Sequence, residues 1–121
     1  MTDGLNGQTK IDGVMYFAEE PLKLLEWYAE LFSVKVSHIE AIQFSYLDIN
    51  GYIVEVHPAD GKNKAGKNGQ VTYWRVAEFD TFINKAMDMG ASIYRGPMKI
   101  ENDQQMGQLI DPSGNLIGIR G

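Results

Sequence analysis

The feature that most constrains this chain is that its order of elements runs once, stops at a polar linker, and runs again. The linker is "ADGKNKAGKNG", Ala59–Gly69, whose only apolar members are two alanines. Gly, Lys and Asn in such density mark a connector rather than a packed element. Ahead of it, "IDGVMYFA" (Ile11–Ala18) carries the β-branched and aromatic content of a strand. "EEPLKLLEWYAELF" (Glu19–Phe32) predicts a helix, with Pro21 near its first turn and Leu24, Leu25, Tyr28, Leu31 and Phe32 at helical spacing. "VKVSHIE" (Val34–Glu40) reads as a short strand, and "FSYLDINGYIVEVHP" as two strands about Asn50-Gly51, the favoured type I′ pair. Beyond the linker, "VTYWRV" (Val71–Val76) is a strand and "DTFINKAMDMG" (Asp80–Gly90) a helix, with Asp80 as N-cap and Gly90 as stop. "ASIYRGP" (Ala91–Pro97) is a strand, and "QLIDPSGNLIGIRG" closes the chain as a hairpin turned at Asp111-Pro112-Ser113-Gly114-Asn115.

Each half therefore reads strand, helix, three strands. The halves also share a V-x-Y-aromatic string, Val14-Met15-Tyr16-Phe17 and Val71-Thr72-Tyr73-Trp74, and together these features indicate an internal duplication. One helix covers one face of a four-stranded sheet, so two such halves side by side leave two uncovered faces that can curve into a shared trough, a natural small-molecule site. The expectation is an α+β fold of two βαβββ modules and eight strands in a single domain, 1–121. Module one spans about 11–58, the linker about 59–69 and module two about 70–121, with residues 1–10 a frayed arm.

Charge and composition exclude several classes of function. A formal net charge of −5 leaves no basic footprint for nucleic acid or an anionic membrane. No apolar run reaches the length of a spanning helix, and the polar Met1–Lys10 does not resemble a signal peptide, so a cytoplasmic protein is expected. With no cysteine in the sequence, disulfides, thiolate catalysis and thiolate metal sites are excluded.

The opening strand and helix, the hairpin strand "GYIVEV", the second opening "VTYWRVAEFDTFINKAMDMGA" and above all "DPSGNLIGIRG" together resemble the vicinal oxygen chelate superfamily, which contains glyoxalase I, bleomycin-resistance proteins and extradiol dioxygenases. The resemblance covers about residues 11–121 and implies the glyoxalase-like fold and a homodimer whose modules pair around a cleft. In metal-dependent members each of four trough-facing strands supplies one ligand. Here those positions match Gly13, Glu55, Val71 and Gly118, so the resemblance implies a member with one ligand of four. Divalent metals need several converging N or O donors, so neither a metal nor any other cofactor is expected. Gly118, set between two isoleucines, occupies a vacated ligand position and would widen the trough.

Strand alternation sorts the candidate binding residues. Anchored on Glu55, the trough set holds Ile53, Glu55 and His57; by the family registers it also holds Gly13, Met15 and Phe17, then Val71, Tyr73 and Arg75, then Leu116, Gly118 and Arg120. Glu55 is the candidate general acid or base, because an apolar surround of Met15, Phe17 and Ile53 would disfavour its charged form. The competing reading is an ion pair with Arg75 or Arg120 that merely satisfies a half-buried carboxylate. Arg75 suits an anion or simply sits exposed at the trough mouth; Tyr73, Met15 and Phe17 suit a flat apolar ligand or ordinary core. His57, beside Pro58, reads as an exposed histidine, and Lys62, Lys64 and Lys67 as solvated linker charges. Leu24, Leu25, Tyr28, Leu31, Phe32, Phe82, Ile83 and Met87 are assigned to helix-to-sheet packing. Two functions stay open. One is binding of a small, partly aromatic or cationic molecule; the other is a metal-independent isomerase or lyase using Glu55, with Arg75 or Tyr73 stabilising an enolate-like oxyanion.

Overall fold

In the computed structural model, residues 10–121 are described; residues 1–9 of the expected arm lie outside them. The first module runs β1 (Gly13–Ala18), α1 (Pro21–Phe32), β2 (Ser37–Ile39), β3 (Phe44–Ile49) and β4 (Tyr52–Pro58). The second runs β5 (Tyr73–Arg75), α2 (Phe79–Asp88), β6 (Ser92–Lys99), β7 (Gln105–Ile110) and β8 (Leu116–Arg120). The sheets have matching orders, β1-β4-β3-β2 and β5-β8-β7-β6. In each the opening strand pairs in parallel with the last one and the remaining pairs are antiparallel, giving the α+β fold of two βαβββ units.

Local chemistry accounts for the element ends. Pro21 starts α1, where its missing N–H costs nothing, and Ser33 closes the helix in the left-handed region, its N–H bonded back into the last turn. Asn50 and Gly51 both have positive φ (52° and 92°), as the type I′ hairpin requires. Gly90, at φ 101°, follows α2 where a left-handed residue ends a helix. Asp80 is not the cap expected of it: α2 begins one residue earlier, Glu78 holds the cap position without a side-chain bond, and Asp80 lies in the first turn. A carboxylate there still meets the positive end of the helix dipole.

One continuous core lies between helices and sheets, built on Leu24, Leu25, Tyr28 and Leu31 of α1, Val54 of β4, Ile83 of α2, and Ile117 and Ile119 of β8. Phe32 and Phe82 pack against it half-buried, whereas Met87, assigned above to packing, is exposed. The buried face of α2 is Phe79, Ile83 and Ala86; at 100° per residue, Met87 falls on the shoulder of that stripe. Aromatic rings join the modules: Phe32 meets Trp74 at 4.9 Å and Phe82 at 6.0 Å, while Tyr16 stacks on Tyr28 at 4.7 Å within module one. Across the same seam Trp27 Nε1 donates to the Met89 carbonyl (2.6 Å), Lys85 Nζ to the Leu31 carbonyl (3.2 Å), and Trp74 Nε1 to the Tyr16 hydroxyl (3.3 Å).

The shared string misaligns the two halves by one residue. It equates Tyr16 with Tyr73, yet Tyr16 is buried under α1 while the Tyr73 ring lies on the opposite sheet face, over Gly118. Met15 pairs with Glu55 as Tyr73 pairs with Gly118, so the structural equivalents are Met15 with Tyr73 and Tyr16 with Trp74. A slip of one residue turns every side chain to the other face.

Candidate functional site

The alternation used to sort the strands holds. Tyr16, Ala18 and Val54 are buried beneath the helices, which leaves Gly13, Met15 and Phe17 of β1, and Ile53, Glu55 and His57 of β4, on the open face. Where the opening strands β1 and β5 meet, the linker closes a groove of about 1020 Å³. Met15, Phe17 and Tyr73 line it, together with Gly13, Val71 and Leu116. Ile53, Glu55, His57, Arg75, Gly118 and Arg120 are not among its lining residues. The expected trough is thus divided within one chain into a central groove and two flanking open faces.

On the first flank Glu55 has a partner, but not an arginine: His57 Nε2 lies 2.9 Å from Glu55 Oε1. The i,i+2 spacing on one strand brings this pair together, whereas Arg75 and Arg120 belong to the other sheet. His57 keeps its side chain 42% exposed while bonding to Glu55, and the ion pair of Glu55 with either arginine does not form. Asp48 stands opposite Ile53 on the same face, so this flank is acidic apart from His57.

On the second flank the Arg120 guanidinium lies 4.5 Å from the Tyr73 ring centroid, and Gln108 Nε2 donates to the Tyr73 hydroxyl (2.8 Å). Arg75 is in register with Arg120, and Arg95 with Gln108, so three arginines share this face. Gly118 does not widen anything. A Cβ built there would stand 2.6–2.8 Å from three Tyr73 ring atoms, so the ring already fills the space a ligand side chain would need. Gly118 is glycine because an aromatic ring lies flat on its backbone.

That packing also answers whether the family's metal fits. Of the four ligand positions Gly13, Val71 and Gly118 offer no donor, and the Gly118 position is covered by Tyr73. Among the described residues no three His, Asp or Glu side chains cluster as a metal site. The donor set does not suit a divalent ion, and no chemical step is assigned to one.

The closing turn contributes a part that the sequence did not disclose. Asp111 is buried and accepts from the Tyr28 hydroxyl (2.6 Å), Ser113 N (2.8 Å), Asn115 N (2.9 Å) and Asn115 Nδ2 (3.0 Å). Burial pushes the Tyr16 hydroxyl up to about 12, and it raises the Tyr28 hydroxyl well above its ordinary value, so both rings stay neutral beside the carboxylate. Asn115 reaches further: its Nδ2 donates to the Phe17 carbonyl (3.0 Å) and its Oδ1 accepts from Gly66 N (3.3 Å). One side chain ties hairpin, β1 and linker together beside the groove. The linker is also folded on itself, with Asp60 Oδ1 accepting from the backbone of Lys62 (2.8 Å) and Asn63 (2.7 Å). Those donors, Asn63 foremost, hold the Asp60 carboxyl below its usual range. Lys62 and Lys64 line the groove wall, and Lys67 stands over the Tyr94 ring instead. Linker composition gave no warning of this, because the anchoring residue, Asn115, lies about fifty positions away.

Two related sheets, each roofed by one helix, with β1 and β5 meeting along a ligand-sized groove, define a glyoxalase-like architecture. Residues 10–119 match the Glyoxalase/Bleomycin resistance protein/Dioxygenase superfamily, and the chain belongs to it. Among solved structures, it is similar to a glyoxalase/bleomycin resistance protein/dioxygenase family enzyme from Burkholderia phytofirmans PsJN (TM-score 0.73, 18% identity, 93% of this chain and 98% of that one). A superfamily member from Sphaerobacter thermophilus DSM 20745 gives a TM-score of 0.73 at 13% identity over 93% and 96% of the two chains. TioX from Micromonospora sp. ML1 gives 0.69 at 15% identity over 93% and 98%. Identities this low speak to the fold alone. A search of curated proteins found no match.

Proposed function

We propose that the protein binds a small organic molecule in the groove between its modules, without a metal. The observation that carries this reading is that both opening strands and the residue leading into the second deliver apolar side chains, Met15 and Phe17 from β1, Tyr73 from β5 and Val71 just ahead of it, into one groove of about 1020 Å³. A concave apolar site with a few polar groups at its edge is the usual form of a small-molecule pocket. A thermal-shift screen tests it: a ligand present at ~100 times its dissociation constant stabilises the fold by about 2.7 kcal/mol. Phe17→Ala should weaken that shift. A ligand whose shift is indifferent to Phe17→Ala and Tyr73→Ala would place binding elsewhere and refute the proposal.

A homodimer is part of the same proposal, supported by the charges of the open faces. Module one presents Asp48 and Glu55 outward, and module two presents Arg75, Arg95 and Arg120. In a two-fold pair the acidic face of one copy can meet the basic face of the other, which is the self-complementarity an isologous interface needs. Sedimentation should show a dimer that Arg75→Glu/Arg120→Glu weakens; a monomer at all concentrations defeats it. Without cysteine the chain needs no oxidising compartment to fold, and a cytoplasmic place of action completes the proposal, checked by cell fractionation.

The Glu55–His57 contact supports a second reading, a metal-independent isomerase or lyase. A carboxylate that accepts from one ring nitrogen fixes the histidine tautomer and leaves the other nitrogen for proton transfer. Glu55→Gln would then lower turnover by roughly 10²-fold or more with little change in melting temperature. A lowered melting temperature with unchanged turnover would make the pair structural.

A further inference from the structure

The groove differs in charge from the chain that forms it. The protein carries a net charge of −5, yet among the described residues no Asp or Glu lines the groove, and Lys62 and Lys64 do. The contrast is local. Across the linker a neighbouring groove of about 760 Å³ is lined by Glu19, Glu20 and Asp60 along with Lys23 and Lys64. The linker thus separates an acid-bearing side from one with no acid among the described residues. The two lysines are also not on a free tether. Asp60 fixes the backbone at Lys62, Asn68 Nδ2 donates to the Lys64 carbonyl (3.0 Å), and Asn115 holds Gly66. Opposite them the floor is apolar and open, with Ile11 72% and Met15 46% exposed and nothing of the described chain covering them.

An apolar floor under a fixed cationic wall selects for a particular guest. We propose that the groove takes an organic anion with a flat apolar body, with Lys62 and Lys64 as its counter-charges, rather than the cationic guest that the acidic composition suggests. This rests on the groove being the binding site and names the chemistry of its occupant. The apolar body covers Met15 and the half-buried Phe17, which accounts for the exposure of Met15. The anionic group stays at the linker wall, where partly hydrated lysines can pair with it without a large desolvation cost. Electrostatic attraction of this kind is worth a modest amount per exposed pair and is screened by salt.

Two fluorescent probes separate charge from shape: 8-anilinonaphthalene-1-sulfonate, and N-phenyl-1-naphthylamine, which has the same rings without the sulfonate. The wild-type chain should bind one sulfonate probe per groove, about tenfold more tightly than the neutral one, with the preference shrinking as salt rises. Lys62→Gln/Lys64→Gln should abolish the preference while leaving neutral-probe affinity and melting temperature unchanged. Lys67→Gln, whose lysine stands over Tyr94 and outside the groove, should change nothing. Equal binding of the two probes, with both weakened by Phe17→Ala, would overturn the anion selectivity and leave the groove as a binding site. Failure of both probes to bind, or binding indifferent to Phe17→Ala, would overturn both.

Discussion

Replacing Gly118 by alanine tests the central claim about the open face of module two, that Tyr73 rather than an open trough occupies the vacated position. The added methyl would stand 2.6 Å from Cδ1, 2.7 Å from Cε1 and 2.8 Å from Cγ of Tyr73. Cγ sits at the root of the ring, so a small rotation at the ring's far end cannot relieve the clash. The ring must leave, taking with it the Arg120 contact and the bond from Gln108. Overpacking of this kind costs about 1–3 kcal/mol. At about 2.1 cal/mol/K of unfolding entropy per residue, 121 residues give about 0.25 kcal/mol/K, so the melting temperature should fall by roughly 4–12 °C. Thermal denaturation followed by circular dichroism measures it, and a double-mutant cycle assigns the cause. In a Tyr73→Ala background the methyl has room, and Gly118→Ala should be neutral or stabilising by about 0.5–1 kcal/mol through reduced backbone entropy. An equal loss in both backgrounds would refute the ring-on-glycine account.

Three further outcomes follow from the seam between the modules. Tyr28→Phe removes the 2.6 Å donor to the buried Asp111, and should lower stability in urea unfolding by about 1.5–3 kcal/mol, the range for a hydrogen bond to a charged group. Stability should hold steady up to pH 10 and fall between pH 10 and 12, because the unfolded chain ionises Tyr16 at its ordinary 10.0 while the folded chain resists until about 12. At about 1.36 kcal/mol per pKa unit the loss is on the order of 3 kcal/mol, and Tyr28 adds to it in the same direction; a stability maximum above pH 10 would contradict this. Asn115→Ala removes the bonds to Phe17, Gly66 and Asp111, at roughly 1 kcal/mol each, and should speed amide exchange at Gly66 far more than in β8.

Periodicity and turn chemistry made the fold legible. Pro21, Asn50-Gly51 and Gly90 each fix a boundary by a backbone property of the residue itself, and these boundaries stand within a residue or two. Strand parity was legible for the same reason, and it put Met15, Phe17 and Tyr73 on the open side. What parity cannot say is how two sheets are turned toward each other. Glu55 and Arg120 share a face by rule and yet belong to different flanks, so the pair expected between them was a statement about distance that alternation does not contain. The aromatic string failed for a related reason. Identity of letters between Tyr16 and Tyr73 outweighed the register that makes Trp74 the true counterpart of Tyr16. The linker was illegible because its order comes from Asn115, Asp60 and Asn68 side chains bonding to backbone, a pattern that composition reads as solvated coil.

The closing turn explains why the groove exists at all. A hairpin needs only Asp111 and Gly114 to reverse, and there the Asp111 carboxylate collects Ser113 N, Asn115 N and the Tyr28 hydroxyl. With its backbone held in this way, Asn115 uses its side-chain amide both within the turn, donating to Asp111, and outward, donating to the Phe17 carbonyl of β1 and accepting from Gly66 N of the linker. The end of the second module is thereby fastened to the first strand of the first module, and the segment between the modules is drawn over the junction as a wall. The same fastening sets Lys62 and Lys64 opposite Met15 and Phe17. The ligand positions of the metal-dependent family members are spent in this chain on backbone packing at Gly13 and Gly118, and its polar groups have gathered instead at the linker. The proposed organic anion would be held at that seam, between the two lysines and the apolar floor, rather than on the sheet.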